Sequence, residues 1–300
     1  MLKYKIKKIK KIKEGLNNDI SIIQINQNKK KYILKKYKND KRNRLFRELY
    51  FLNFAKKNKI SNVPKLYFYS KKNNLIILER IDGVFPKKIN QDYISNFSKF
   101  IKKINKYKGK YKKIYASDHF KNISDLKKSV SRRVNSNYTL NKKNIDNIQV
   151  YKIIEQIREK WHFVKNKKTS LKFKDIFSNS NLMLSTSDFG PKNVILKNKS
   201  FKYIDFEYSG LDFSIKYLCD FLSHPDLQLS KILSNYFLEK NMYLFKNVSL
   251  LHKKIEYFLP IFYIKWSCII LNNYINKYEE LNVNSRKKLI NKILISLNKI

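Results

Sequence analysis

Alternation of apolar and polar residues marks the first quarter of the chain as rich in β-strands. β-Branched and aromatic residues dominate residues 20–25 and 31–37, and the polar residues between them are typical of a hairpin turn. The basic segment 6–12 fits a strand or a helix, and we interpret it as a strand because turn-forming residues follow it. Residues 63–68 and 75–79 are two more apolar segments. The pattern therefore predicts a five-stranded sheet that begins as three antiparallel strands.

The hydrophobic pattern changes to a helical period within this region and again after residue 83. Over residues 41–57, Leu45, Leu49 and Leu52 recur at helical spacing, with Glu48 on the same stripe. An amphipathic helix is predicted from Tyr93 to Ile104. Further helices are predicted near residues 124–133, 144–164, 213–222, 228–245, 248–278 with a break at Pro260, and 285–297. One predicted hairpin interrupts them, with short strands at 194–196 and 201–204.

The composition is strongly basic, with 66 Lys and Arg against 23 Asp and Glu and a formal net charge of +43. Such a charge would ordinarily indicate a nucleic-acid or anionic membrane partner. However, only eight of these cations are Arg, and the many Lys accompany abundant Ile, Asn, Tyr and Phe, as in an AT-rich genome. We therefore rank nucleic-acid binding through the lysine runs 3–13 and 102–113 last. A membrane surface stays open as a partner, with no other feature in its favour.

Other features of the composition point to a soluble protein of a reducing compartment. Two cysteines and four scattered histidines form neither a disulfide framework nor a metal-ligand pattern. The basic N-terminal segment lacks the apolar core of a signal peptide. The most apolar run, residues 258–271, carries Lys265 and is shorter than the ~20 residues that span a bilayer. We expect a cytoplasmic protein.

The most informative residues are Asp188 and Asn193, with Asp205 twelve positions after the Asn. The predicted hairpin joins Asn193 to Asp205 and brings them close in space. Carboxylate and amide oxygens suit Mg²⁺, and Asp188 on the preceding loop can face an incoming hydroxyl. Taken alone, Asp188 before Gly190 would be read as a turn-forming residue.

Two residues nearer the N-terminus strengthen the functional interpretation. Glu48 lies on an apolar stripe and needs a cation, which Lys35 in the third predicted strand can supply. Lys36 is the alternative cation. The non-functional interpretation is that Lys35 is an ordinary surface lysine. The order of Lys35, Glu48, Asp188 and the two predicted metal ligands is the order of the phosphate-binding and catalytic groups in kinases. The pattern therefore indicates phosphoryl transfer.

Two segments carry a resemblance to a known family, namely Thr186-Ser187-Asp188-Phe189-Gly190-Pro191-Lys192-Asn193 and Ile204-Asp205-Phe206-Glu207. They resemble the H-G-D-x-x-x-x-N and I-D-x-E/D motifs of the aminoglycoside phosphotransferase and choline kinase family. The resemblance implies an α+β, bilobal protein-kinase-like fold: a small antiparallel sheet lobe with one helix over 1–82 and a larger, mainly helical lobe over 83–300. Thr186 stands where the family usually has His, and the loop over the phosphates has only one glycine, Gly15.

The resemblance also implies roles for individual residues. Asp188 would be the catalytic base, Asn193 and Asp205 the metal ligands, Lys35 the lysine on the phosphates and Glu48 its partner. The remaining implied positions are Gly15 and Asn18 in the loop over the phosphates, Glu79 and Ile81 with backbone toward adenine, and Asp220 as a structural brace. ATP and Mg²⁺ are the implied cofactors.

The implied activity is that of a phosphotransferase acting on a hydroxyl of a small molecule, a sugar or an amino alcohol. An aminoglycoside acceptor is disfavoured, because a cationic drug needs an acidic pocket and this chain is strongly positive. A catalytically inactive kinase fold that serves as a scaffold is the alternative. The sequence leaves acceptor, oligomeric state and the choice between ATP and GTP open.

Overall fold

The computed structural model describes residues 6–14, 18–25, 30–144, 148–245, 248 and 250–300. The chain packs as two compact units, Met1–His119 with Met183–Asp212, and Phe120–Leu182 with Phe213–Ile300. We call them the first and the second unit. The boundary between lobes at residues 82 and 83 stays a prediction. The first unit contains every residue predicted to take part in catalysis or nucleotide binding that the structure describes.

A five-stranded antiparallel sheet forms the N-terminal part of the first unit, as predicted. Its strands are β1 Ile6–Glu14, β2 Asn18–Ile25, β3 Lys31–Tyr37, β4 Leu66–Ser70 and β5 Leu75–Glu79. The spatial order β1-β2-β3-β5-β4 makes β3 the central strand, in which Lys35 pairs with Ile20 on one side and Ile76 on the other. Edge strand β1 exposes Lys7, Lys8, Lys10 and Lys11, and such lysines discourage edge-to-edge aggregation.

Two helices of the first unit pack their apolar faces inward. α1, Arg44–Lys57, buries Leu45, Leu49, Leu52 and also Glu48. It begins three residues later than predicted because Asn43, with φ 51°, is left-handed and therefore not helical. α2, Gln91–Lys106, is capped by Asn90, whose side chain accepts a hydrogen bond from the Tyr93 N–H. Stacked rings fix both helices: Phe51 lies on Phe206 and Phe100 on Tyr203, each with centroids 4.1 Å apart.

Four short strands lie wholly or mostly in the first unit. β6, Leu182–Ser185, pairs with β9, Gly210–Phe213; β7, Val194–Lys197, pairs with β8, Ser200–Tyr203. The predicted hairpin is thus present, with Val194 opposite Tyr203. β6 and β9 were not predicted. Gly210 must lack a side chain, because a Cβ there would lie 2.4 Å from the Ala116 nitrogen.

The second unit is helical in the part that the structure describes. Its helices are α3 Ile123–Asn144, α4 Ile148–Asn166, α5 Phe173–Ile176, α6 Ser214–Leu222, α7 Lys231–Asn241, α8 Leu251–Asn276 and α9 Val283–Leu297. Their core includes the fully buried Phe258, Phe262, Leu271 and Ile293. None of the described helices combines the length and the apolar character needed to cross a bilayer.

The predicted break at Pro260 is wrong, because α8 continues through it. Proline removes one helical hydrogen bond and costs about 3 kcal/mol in a helix interior. However, the neighbouring Phe258, Ile261 and Phe262 have 0 % exposure, and burying each contributes about 1.5–3 kcal/mol. Tertiary packing therefore outweighs the local preference of proline.

Candidate active site

Three carboxylates surround the ammonium group of Lys35. Its Nζ lies 2.7 Å from Glu48 Oε2, 2.6 Å from Asp205 Oδ1 and 3.0 Å from Glu207 Oε2. Lys35, Glu48 and Glu207 are buried, whereas the Asp205 side chain is 33 % exposed. The structure therefore brings together Lys35, Glu48 and Asp205, which are far apart in sequence. Lys36, the alternative cation, is exposed.

The geometry follows from the period of the strand and the helix. Side chains alternate between the two faces of β3, so Lys35 and Tyr37 are buried while Lys36 between them is exposed. Tyr37 donates a hydrogen bond from its Oη to Glu48 Oε2 over 2.6 Å. Glu48 reaches both partners because it lies on the buried stripe of α1. Local patterning thus presents one lysine and one glutamate to each other.

Asp205 lies just beyond β8 in an unfavourable backbone conformation. Its φ of 67° falls in the left-handed region, which costs a residue other than glycine about 1 kcal/mol or more and is common at functional sites. Ser187, directly before Asp188, has φ 64°. Two such residues at the ends of the predicted motif indicate that the surrounding structure holds these loops in place.

The cluster has more carboxylates than cations. Burial would lower the pKa of Lys35, but Asp205, Glu48 and Glu207 together raise it well above its ordinary value. Burial raises the pKa of Asp205, Lys35 opposes this, and Glu207 and Glu48 raise it again, to about 7. One oxygen from each acid lies within 4.8 Å of the other two. An oxygen donor set of this kind fits a hard divalent cation.

Glu207 belongs to the motif, but the sequence did not assign it a role. Its Oε2 accepts a hydrogen bond from Asn18 Nδ2, and its Oε1 lies 3.7 Å from Arg44 Nε. Asn18 is thus buried at the start of β2 with its side chain on the cluster. Gly15 lies outside the described residues. The predicted contribution of the Gly15–Asn18 loop to phosphate binding stays a prediction.

Asp188 lies on the loop that follows β6. The Gly190 N–H donates to Asp188 Oδ1 over 3.1 Å, and Tyr93 Oη donates to the Phe189 carbonyl over 3.1 Å. Asp188 thus makes the hydrogen bond of a turn-forming residue, and the same bond orients its half-buried carboxylate. This geometry is compatible with both a turn-forming and a functional Asp188. The assignment of Asp188 as catalytic base stays a prediction.

Asn193 and Asp205 lie at the same end of the β7–β8 hairpin, as the sequence predicts. The Asn193 carbonyl accepts a hydrogen bond from the Ile204 N–H over 2.9 Å, directly before Asp205. The Asn193 N–H in turn donates to the Gly190 carbonyl over 2.9 Å, which connects the hairpin to the Asp188 loop. The backbone therefore brings Asn193 and Asp205 to one end of the hairpin, and their assignment as metal ligands stays a prediction.

The remaining predicted positions lie at the end of the sheet and in the second unit. The Glu79 N–H donates to the Lys65 carbonyl over 2.8 Å at the end of β5, and Ile81 follows in an irregular segment. Asp220, in α6, is buried between Lys216 and Lys265, with Lys216 Nζ 2.9 Å away. The adenine contact and the bracing role stay predictions, although burial and pairing of Asp220 are what a structural residue needs.

We compared the chain with known proteins by sequence and by fold. No protein-family model matches the sequence, and no curated protein matches it. By fold, it is similar to a spectinomycin phosphotransferase solved with ADP and spectinomycin, with TM-score 0.62 and 16% identity over 95% of this chain and 88% of that one.

Two further solved structures extend the likeness to kinases of amino alcohols. The choline kinase LicA from Streptococcus pneumoniae gives TM-score 0.59 and 14% identity over 99% of this chain and 94% of that one. A Plasmodium vivax ethanolamine kinase gives TM-score 0.58 and 17% identity over 99% and 82%. The chain therefore has the protein-kinase-like α+β fold of the aminoglycoside phosphotransferases and choline and ethanolamine kinases. The expected fold class is confirmed.

Proposed function

We propose that this protein is a phosphotransferase that uses ATP and Mg²⁺ to phosphorylate a hydroxyl group of a small molecule. The observation that carries the proposal is the Lys35 ammonium group between Glu48 and Asp205, in a fold shared with phosphotransferases. Phosphoryl transfer requires that two polyanionic partners be held together and their charge neutralised. A buried lysine beside oxygen ligands for a metal supplies the parts for both tasks.

The roles of the residues follow from their chemistry. Asp205 and Asn193 would hold Mg²⁺, which would neutralise charge on the phosphates when bound. Lys35 would bind phosphate oxygens, and its salt bridge with Glu48 (2.7 Å) fixes the direction of the lysine side chain. Asp188 would accept or orient the proton of the attacking hydroxyl. The backbone hydrogen bond from Ile204 to Asn193 supports this assignment, because it joins the chain at or next to both proposed metal ligands.

We further propose a neutral or anionic acceptor, such as a sugar, with an amino alcohol as the second class. The structural neighbours are of two kinds, kinases named for choline or ethanolamine and phosphotransferases named for aminoglycosides. A chain with formal net charge +43 opposes a cationic acceptor unless the pocket itself is acidic. We also propose a cytoplasmic location, because the proposed phosphate donor ATP is available there.

The proposal is tested by phosphate transfer from γ-labelled ATP to a panel of sugars, polyols, choline and ethanolamine. Wild type should label at least one acceptor in the presence of Mg²⁺, whereas Asp188→Ala and Asp205→Ala should not. Lys36→Met serves as a control for an exposed residue next to the site. Equal rates in wild type and both Asp variants would overturn the proposal. Nucleotide binding without Mg²⁺ dependence or turnover would favour the inactive scaffold.

A further inference from the structure

Asn62, in the loop between α1 and β4, makes two hydrogen bonds to the hairpin that carries the predicted metal ligands. Its backbone carbonyl accepts from the Tyr203 N–H over 2.8 Å, and its side-chain Nδ2 donates to the Phe201 carbonyl over 3.0 Å. The neighbouring Ser61 carbonyl accepts from Lys202 Nζ over 2.8 Å. All three bonds reach β8, the strand that ends two residues before Asp205.

The opposite edge of the hairpin is also paired. Val84 and Leu196 exchange two backbone hydrogen bonds, with N–O distances of 3.1 and 2.8 Å. Gly83 permits this approach, because a Cβ at that position would lie 2.5 Å from the Leu196 oxygen. A two-stranded hairpin by itself is only marginally stable in water. Pairing on both edges therefore gives β7 and β8 partners outside the hairpin.

These contacts connect the two halves of the Lys35 cluster. Glu48 lies on α1, and Asn62 lies in the loop that α1 enters. Asp205 follows β8 in its left-handed conformation, which needs support from its surroundings. The chain thus links Glu48 to Asp205 by a second route, independent of the Lys35 salt bridges. We propose that Asn62 is a positioning residue that holds the metal-binding end of the hairpin in place; this inference rests on the proposed function.

The test compares Asn62→Ala with Asn58→Ala. Asn58 Nδ2 also donates one hydrogen bond to a backbone carbonyl, that of Phe54 over 2.8 Å, but makes no bond to the hairpin in the described structure. Each variant loses one side-chain amide bond. Amide hydrogen exchange of residues 194–204 should become about threefold to tenfold faster in Asn62→Ala, the effect of one lost hydrogen bond. It should stay within about twofold of wild type in Asn58→Ala.

A second readout is the affinity for Mn²⁺ in the presence of ADP. Asn62→Ala should bind Mn²⁺ about threefold to tenfold more weakly than wild type, by the same loss of one hydrogen bond, with Asn58→Ala unchanged. Should Asn62→Ala fail to fold, Asn62→Ser keeps a short hydroxyl donor and should show the same effects at smaller size.

The proposal is overturned when exchange of residues 194–204 is the same in the Asn62 and Asn58 variants. It is also overturned when hairpin exchange increases but Mn²⁺ affinity does not fall, since the Asn62 side chain would then stabilise the hairpin without positioning the metal ligands. Neither exchange nor Mn²⁺ binding depends on turnover. Absence of phosphate transfer in the wild type would therefore refute the proposed function without touching the exchange result.

Discussion

Two buried ionic clusters in this protein have opposite compositions. In the first unit, Lys35 contacts three carboxylates, those of Glu48, Asp205 and Glu207. In the second unit, Asp220 contacts two lysines, Lys216 and Lys265. Both clusters are buried apart from Asp205, which is partly exposed. A surplus of acids thus lies in one unit and a surplus of lysines lies in the other.

The difference is informative because the whole chain carries a formal charge of +43. A buried group of acids is unusual in such a basic chain. The carboxylates repel one another, so the group is stable only with cations nearby. The lysine-rich cluster uses the residue type that the composition supplies. Lys265 also lies over the rings of Phe262 (4.8 Å) and Trp266 (5.5 Å), and such contacts stabilise a buried ammonium group. This contrast supports the proposed functional role of the first cluster and the predicted structural role of Asp220 in the second.

The largest expected effect separates activity from stability at Asp205. In Asp205→Ala, phosphate transfer should fall about 1,000-fold, equivalent to about 4 kcal/mol of barrier, because the proposed metal site loses a ligand. The free energy of unfolding should change by less than about 1 kcal/mol, because Lys35 keeps Glu48 and Glu207 as partners. Steady-state kinetics and urea unfolding measure the two quantities. A variant that keeps its activity, or that is inactive only because it is unfolded, would contradict the functional assignment of this cluster.

Asp220→Ala should have the converse effect. Removing the carboxylate leaves two buried lysines without their shared partner, and we expect the free energy of unfolding to fall by about 3–5 kcal/mol. Asp226→Ala is the matched control, because Asp226 pairs with Lys292 at a partly exposed position; there the loss should be about 1 kcal/mol or less. Urea unfolding of both variants decides the matter. Equal losses in the two variants would show that Asp220 has no special structural role.

Lys35→Met should lower phosphate transfer about 100-fold, or about 2.7 kcal/mol, because the phosphates lose their buried cation. Lys36→Met is the control: this neighbour is exposed, and its variant should retain activity within about twofold of wild type, as for ordinary surface changes. Kinetics at several ATP concentrations measure both. Matching losses in the two variants would indicate a general effect of charge on the strand.

The smallest expected effect concerns the support of Glu48. Tyr37→Phe removes the hydrogen bond to Glu48 Oε2 and should lower the free energy of unfolding by about 0.5–1.5 kcal/mol. Tyr67→Phe is the comparison, because the Tyr67 hydroxyl accepts a bond from Lys30 at the surface; its loss should be near zero. Thermal unfolding resolves the difference. A larger loss in Tyr67→Phe would contradict the importance of the buried contact.

Much of the first unit could be predicted from the sequence. β3 and β5 have the predicted bounds, because β-branched residues between turn-forming segments specify them locally. The β7–β8 hairpin was predicted from short apolar segments on either side of a turn, and it explains the twelve-residue interval between Asn193 and Asp205. Lys35 and Glu48 could be paired because an acid on an apolar helical stripe requires a cation.

The rest depends on tertiary context. β6 and β9 are four-residue strands whose residues are all buried, so neither shows the alternation by which strands are recognised. Lys216 and Lys265 could not be identified as buried, since a lysine in a chain with 66 Lys and Arg is read as a surface residue. The sequence did not show that Glu207 belongs to the Lys35 cluster, because its contacts with Asn18 and Lys35 arise only from the fold.

The central claim is that the Lys35 cluster, through Asp205, binds the metal ion of a phosphotransferase. Its most direct test is metal binding. Mn²⁺, which takes the same oxygen ligands as Mg²⁺, can be titrated in the presence of ADP and followed by electron paramagnetic resonance. Wild type and Asp226→Ala should bind it with equal affinity, and Asp205→Asn at least about tenfold more weakly, a change of about 1.4 kcal/mol. Equal Mn²⁺ affinity in wild type and Asp205→Asn would contradict the account.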